Sequence, residues 1–183
     1  MPEPGPPAAV RRIPTGSSSV LVLMGVAGSG KSTVMAELHR TLAWPGAEGD
    51  SFHSPANVQK LAAGIPLTDG EREAWLRAIA SWIGDREAAG SNALLACSAL
   101  KRSYRDVLRE GRRTVCFVHL VGPSGQLEKR IAQRAGRHAA ASILDSQLAD
   151  LEPLAPDEAG LTIATDRPVG EVAAAIKAWL DYR

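Results

Sequence analysis

The chain has few cysteines, almost no net charge and no long apolar run, and each shortage excludes a class of protein. Its 183 residues include two cysteines, Cys97 and Cys116, which form no CxxC pair. Each lies in an apolar run, so we expect buried free thiols and a reducing, cytoplasmic compartment. The 21 basic and 20 acidic side chains give a net charge of +1. This balance provides no electrostatic attraction toward nucleic acid or an anionic membrane.

No segment has the roughly 18 consecutive apolar residues that a membrane-spanning helix needs. Arg11-Arg12 precede an apolar run, as in a twin-arginine export signal. Cleavage after that run would destroy a glycine-rich motif at residues 25–32, so we expect no export. Residues 1–16 contain five prolines and two glycines, which predicts a disordered tail. Residues 17–183 are expected to form one domain, since the chain shows no internal repeat.

Short apolar runs alternate with helical patterns through the rest of the chain. Strands are predicted at residues 20–24, 93–97, 115–121 and 161–164, with a short one at 47–50. Helices are predicted at residues 31–43, 69–89, 127–134 and 143–151, and from residue 169 onward. The tryptophans at helical spacing are interpreted as packing residues. This alternation predicts an α/β fold with a parallel sheet and right-handed crossovers.

The motif at residues 25–32 is a complete phosphate-binding loop, and it lies between the first strand and the first helix. It matches G-x-x-x-x-G-K-[ST], with Gly25, Val26, Ala27, Gly28, Ser29, Gly30, Lys31 and Ser32. Its backbone N–H groups and the helix N-terminus suit phosphate oxygens. Lys31 would reach the β- and γ-phosphates of ATP, and the Ser32 hydroxyl would bind Mg²⁺. Thr33 is placed in the same nucleotide site, and the four histidines show no metal-ligand spacing.

Polar residues follow the second and third strands, where ligands bind in open α/β sheets. Asp50 and Ser98 should therefore project into the crevice that holds the phosphate loop. Asp50 would orient an acceptor hydroxyl and take its proton, or hold a water on Mg²⁺; a helix-cap role is the alternative. The basic residues Arg72, Lys101 and Arg105 would hold an acidic substrate, or simply form surface ion pairs.

Several sequence blocks resemble the gluconokinases of the P-loop group that also includes the nucleoside-monophosphate and shikimate kinases. The blocks are MGVAGSGKS, GDSFHSPANVQKLAAGIPLTDGEREAWL, LLACSALKRSYRDVLRE and SQLADLEPL, in the family's order between residues 19 and 181. The resemblance implies a three-layer P-loop NTPase sandwich with a five-stranded parallel sheet, helices on both faces and a small lid. It also implies ATP-dependent phosphorylation of D-gluconate at its 6-hydroxyl, and commonly a homodimer.

The resemblance also places residues at the site. Asp50, His53, Arg72, Lys101 and Arg105 fall on family motif positions near the sugar acid. For His53, a structural hydrogen bond is the alternative role.

The lid is expected at about residues 130–142, where Arg130 and Arg134 are assigned catalytic roles and Arg137 is a further basic residue. A solvated basic face is the alternative for these arginines. The family pattern has Gly-His followed by bulky apolar residues, whereas this chain has Gly136-Arg137-His138 followed by alanines.

Two other functions remain open on the sequence. Another small-molecule kinase, such as a shikimate or nucleoside-monophosphate kinase, would share the fold; shikimate kinases usually carry a glycine-rich segment where this chain has residues 97–101. A non-catalytic nucleotide switch would usually show an NKxD segment or a hydrophobic strand ending in Asp, and the chain has neither.

Overall fold

The computed structural model describes residues 19–63, 65, 67–112, 114–135 and 137–181, with side chains described outside residues 134–142. The predicted tail at residues 1–16 and residue Gly136 of the predicted lid lie outside the described residues. The strands are β1 (Val20–Met24), β2 (Gly46–Glu48), β3 (Ala93–Ala96), β4 (Val115–Val121) and β5 (Gly160–Ala164). The helices are α1 (Lys31–Leu42), α2 (Pro55–Ala62), α3 (Asp69–Ala88), α4 (Arg102–Arg109), α5 (Ser124–Ala135), α6 (Arg137–Asp150) and α7 (Val169–Asp181).

The five strands form one parallel sheet in the order β2-β3-β1-β4-β5. β1 is at the centre, and all five of its side chains are fully buried. This explains its continuous apolar sequence, because a strand covered on both faces has no solvent side. The predicted α/β fold with a parallel five-stranded sheet is confirmed.

Two apolar clusters cover the two faces of the sheet and make it the middle of three layers. On one face, Trp75, Ile79 and Ile83 of α3 pack on alternate strand residues. On the other face, α1 and α7 contribute Leu38 and Ile176. Each fully buried aliphatic side chain of this size contributes about 1.5–3 kcal/mol from burial. The tryptophans of α3 and α7 belong to these clusters or pack against them, as predicted, and both cysteines are buried.

Two short helices, α2 and α4, lie in segments to which the sequence analysis assigned no helix. α2 begins after Ser54, whose side chain accepts a hydrogen bond from the Asn57 backbone, with Pro55 in the first turn. Lys60 of α2 forms an ion pair of 2.6 Å with Glu71 of α3.

The β2 strand spans residues 46–48, and Asp50 follows it in a 3-10 turn, Gly49–Phe52. Among the described residues, no helix is long and apolar enough to cross a membrane.

Arg105 is a structural residue, and the prediction that it holds the substrate is wrong. Its guanidinium is fully buried and donates to Glu158 through Nε at 2.7 Å and Nη2 at 2.9 Å. Its other hydrogen bonds reach four backbone carbonyl oxygens, those of Ala99, Leu100, Glu152 and Pro153. These contacts engage all three guanidinium nitrogens and leave Arg105 unable to reach a ligand. They join the segment after β3 to the segment after α6.

Replacing Arg105 with methionine should destabilise the protein by about 3–5 kcal/mol, because the buried Glu158 would lose its closest charge partner and keep Arg102 at 3.6 Å. Arg109→Met on the same helix is the matched control. Arg109 is partly exposed and pairs with the exposed Asp106, and an ion pair in contact with solvent contributes about 0–1 kcal/mol. Urea denaturation of both variants measures the difference. Equal losses in the two variants would contradict the structural role of Arg105.

The same pair predicts how stability depends on pH. Burial alone would raise the pKa of Glu158, but hydrogen bonds from Arg105 and the Ala155 amide outweigh it, so this pKa is lowered from its ordinary value of 4.5. The resulting stabilisation is present above pH 4.5 and is lost as the pH falls through the folded-state value.

Candidate active site

The phosphate loop connects β1 to α1 through backbone conformations that require glycine. Gly25 has a φ of +137°, and a Cβ atom there would lie 2.6 Å from the Leu120 carbonyl oxygen. Gly30, with φ of +97°, is the N-cap of α1 and provides no side chain to cap the helix. The first turn of α1 also has no acidic residue. No side chain at this helix end therefore caps its backbone N–H groups, which leaves them available to an anion.

Lys31 lies over the loop. Its Nζ donates to the carbonyl oxygens of Gly25 at 2.9 Å and Val26 at 3.1 Å. The side chains of Ser32 and Thr33 are exposed on the same first turn of α1. This arrangement puts one ammonium group and two hydroxyl groups at the mouth of the loop.

The phosphate-loop crevice has a volume of about 340 Å³. It is lined by Ala27, Gly28, Gly30, Lys31, Ser32, Thr33, Glu48, Asp50, Ala96, Ser98, Ile131, Ile143 and Gln147. Asp50 and Ser98 therefore share one crevice with the loop, as their positions after β2 and β3 predicted. Glu48 brings a second carboxylate beside Asp50.

A second crevice of about 490 Å³ adjoins the first and shares part of its wall. Asp50, Ser98 and Gln147 line both spaces. The rest of the second crevice is formed by His53, Val58, Leu61, Leu67, Arg72, Trp75, Leu100, Tyr104, Ser146 and Asp150. Groups held in the two crevices would therefore meet at Asp50.

His53 is held in the second crevice by Trp75 of α3. The two rings stack with their centroids 4.5 Å apart and their planes 15° apart. Nε1 of Trp75 donates to the Gly49 carbonyl oxygen at 2.7 Å. The buried indole therefore contacts Gly49, which precedes Asp50, and His53, which follows it. Burial lowers the pKa of His53 despite the opposing effect of Asp50, which favours the neutral imidazole. Its Nδ1 is buried and has no hydrogen-bond partner among the described residues.

The predicted basic residues differ in their access to the second crevice. Arg72 lines it, and its Nη1 donates to the Tyr104 hydroxyl at 3.2 Å. Lys101 does not line the second crevice, but it forms an ion pair of 3.1 Å with Asp150, which does line it. The hydrogen bond to Asp150 and the neighbouring Tyr104 raise the pKa of Lys101. Among the residues with described side chains, Arg72 is thus the arginine that faces this crevice, and Lys101 lies behind the Asp150 carboxylate.

Arg130 lies on the other side of the phosphate loop. It lines a third crevice of about 240 Å³ with Thr165 and Arg167, at the turn after β5. Its guanidinium donates to the Gly28 carbonyl oxygen at 3.1 Å and to that of Thr165 at 3.4 Å. The side chains of Arg134 and Arg137 lie outside the described residues, although their backbones belong to α5 and α6.

Comparisons with known proteins agree with this geometry. A family model described as an AAA domain matches residues 20–154. A curated gluconokinase from Gluconobacter oxydans is 44% identical over 147 residues, covering 80% of this chain and 83% of that protein. The chain belongs to the gluconokinase family. A solved gluconokinase structure from Sinorhizobium meliloti is 38% identical, with a TM-score of 0.77 over 91% of this chain and 93% of its own.

Another solved relative is a sugar kinase from Janibacter, which is 44% identical with a TM-score of 0.81 and covers 90% of this chain and 95% of its own. A shikimate kinase from Acinetobacter baumannii shares only 14% identity at a TM-score of 0.60 over 91% of this chain and 95% of its own, which shows the common fold alone. The comparisons therefore confirm the predicted family and kinase class, and give the shikimate kinase alternative less support.

Sequence reasoning missed several residues that line these crevices. Trp75 was interpreted only as a packing residue, although it stacks on His53 and lines the second crevice. Tyr104, Glu48 and Gln147 were given no role. Glu48 stands two positions before Asp50 and Gln147 lies in the SQLADLEPL block, so both were close to recognised motifs. Their side chains reach the site through packing that a sequence does not display.

Removing the indole of Trp75 should raise the pKa of His53 toward its ordinary value of 6.5. In Trp75→Leu, water would reach the imidazole and the desolvation that now disfavours its charged form would decrease. An NMR titration of the His53 ring measures this change. Trp179→Leu, at the cluster on the opposite face of the sheet, is the control and should leave the titration as in the wild type. An unchanged His53 pKa in Trp75→Leu would show that stacking does not control this residue.

Proposed function

We propose that this gluconokinase-family chain transfers the γ-phosphoryl group of ATP to the 6-hydroxyl of D-gluconate, giving 6-phospho-D-gluconate. The observation that carries the proposal is the shared wall of the phosphate-loop crevice and the second crevice at Asp50. A phosphoryl donor in the first space and an acceptor in the second would meet there. The curated relatives named gluconokinase supply the identity of the acceptor.

ATP is proposed to bind with its phosphates on residues 25–33 and its base in the third crevice, beside Arg130 and Arg167. The positive charges of Lys31 and Arg130 would neutralise phosphate oxygens. The residues also fit Mg²⁺, because the exposed Ser32 hydroxyl shares the crevice with Glu48 and Asp50, and this cation prefers oxygen ligands. When bound, Mg²⁺ would supply charge neutralisation between the phosphates.

D-Gluconate is proposed to occupy the second crevice with its carboxylate toward Arg72, and its hydroxyl groups near Ser98 and His53. Arg72 matches a carboxylate through its planar set of N–H donors. The neutral His53 ring presents a buried nitrogen to a hydroxyl without adding charge. Lys101 remains a proposed contact at the edge, where it would have to exchange Asp150 for the ligand.

The chemical step requires little covalent help from the protein. The 6-oxygen forms a bond to the γ-phosphorus while the bond from that phosphorus to the β–γ bridging oxygen breaks, and ADP leaves. Asp50 orients the hydroxyl and accepts its proton, which then passes to solvent.

We further propose that residues 130–142 close as a lid that excludes water, with Arg134 over the transferring group. The enzyme is also proposed to be a cytoplasmic homodimer.

A panel of acceptors tests the proposal. ADP release with ATP and Mg²⁺ is expected with D-gluconate and not with shikimate, glycerate or nucleoside monophosphates. Lys31→Ala should abolish this turnover, and Lys177→Ala, at an exposed position on α7, should preserve it. Turnover with a different acceptor would retain the kinase and overturn the assignment of the substrate.

Asp50→Asn should lower kcat by about 10²–10⁴-fold, the typical contribution of a positioned general base. ATP binding should change little, because the phosphates are held mainly by the loop. Steady-state kinetics and calorimetric titration with ATP separate these two effects. Asp85→Asn, at an exposed position on α3, is the control, and a wild-type kcat in Asp50→Asn would remove the base role from Asp50.

A further inference from the structure

Gln147 of α6 contacts the phosphate loop directly. Its Oε1 accepts a hydrogen bond of 2.6 Å from the Ala27 backbone N–H, across 120 positions of the sequence. Because a backbone N–H only donates, the amide orientation is fixed, with the oxygen on the loop and Nε2 away from it. Gln147 therefore forms a side-chain link between α6 and the loop that holds the phosphates.

The position of Gln147 is fixed by packing on both sides of it in α6. Leu144, three residues earlier on the same helix face, is 1% exposed and packs with Val26 of the loop and Ile131 of α5. On the C-terminal side of Gln147, Asp150 pairs with Lys101, and the Glu152 backbone N–H donates to the Leu100 carbonyl oxygen at 2.9 Å. This part of α6 is therefore anchored to the loop and to the segment after β3.

Gln147 also lies on the boundary between the two spaces where the substrates are proposed to bind. It lines both the phosphate-loop crevice and the second crevice. With Oε1 on the loop, the two N–H groups of Nε2 are its remaining hydrogen-bonding capacity. Among the residues with described side chains, none accepts a hydrogen bond from Nε2. A donor in this position suits an oxygen atom of the acceptor or of the transferring phosphoryl group.

We propose that Gln147 is a positioning residue that couples ATP binding to acceptor binding. Oε1 holds the loop in its phosphate-binding shape through Ala27, while Nε2 donates to a substrate oxygen at the junction of the two crevices. Occupation of either crevice then restrains the same side chain and favours binding in the other. This inference rests on the proposed function, because the acceptor is taken to be D-gluconate.

The test is a binding cycle. The Kd of a non-hydrolysable ATP analogue with Mg²⁺ is measured by calorimetry with and without saturating D-gluconate. The wild type should bind the analogue about fivefold or more tightly when D-gluconate is present, within the usual range of coupling. In Gln147→Met, which preserves the length of the side chain and removes both hydrogen bonds, the ratio of the two Kd values should fall to about one. Gln59→Met, an exposed glutamine on α2, should retain the wild-type ratio.

A second variant guards against misfolding. Gln147→Glu retains an oxygen for the Ala27 N–H and loses the donors, so it should fold and also lose the coupling. A wild-type ratio in either Gln147 variant, or a ratio of one in the wild type, would overturn the inference. These outcomes differ from a failure of the proposed function, which would appear as absent turnover of D-gluconate by the wild-type enzyme.

Discussion

The buried pair of Arg105 and Glu158 is the contact on which the shape of the site depends. An ion pair removed from water recovers its desolvation cost only when its geometry is good and its other donors are satisfied. The Arg105 guanidinium meets both requirements. Two of its nitrogens donate to the Glu158 carboxylate, and it also donates to four backbone carbonyl oxygens. Those carbonyls belong to the segments after β3 and after α6. The pair therefore fixes the distance between two walls of the second crevice.

The order of the strands determines which residues meet. β1 lies between β3 and β4, with β2 beyond β3, and all point the same way. The phosphate loop, Ser98 and Asp50 each follow one of three adjacent strands, so they emerge along one edge of the sheet. α3 then covers the end of β2 and brings Trp75 against His53. The site is thus assembled from local strand ends, and helix packing adjusts individual side chains within it.

The sequence predicted those features that local patterns encode. The phosphate loop has a fixed spacing, and the buried strands are continuous apolar runs, so both were recognised. α2 and α4 were missed because each has only eight residues, which is too few to display a distinctive apolar repeat at helical spacing. Arg105 was assigned to the substrate because a basic residue in a recognised motif gives no indication of burial. Its partner Glu158 is 53 positions away, beyond any local pattern.

Helix α6 begins in the proposed lid and ends in an anchored wall of the two crevices. The departure from the family pattern, Gly136-Arg137-His138 followed by alanines, precedes Leu144 in the sequence. Leu144, Gln147 and Asp150 are held by contacts with the phosphate loop and with Lys101. We expect substitution in that segment to alter the proposed lid, while the contacts of Leu144, Gln147 and Asp150 keep the wall shared by the two crevices in place. The same helix would then separate two tasks, with closure at its beginning and alignment of donor and acceptor toward its end.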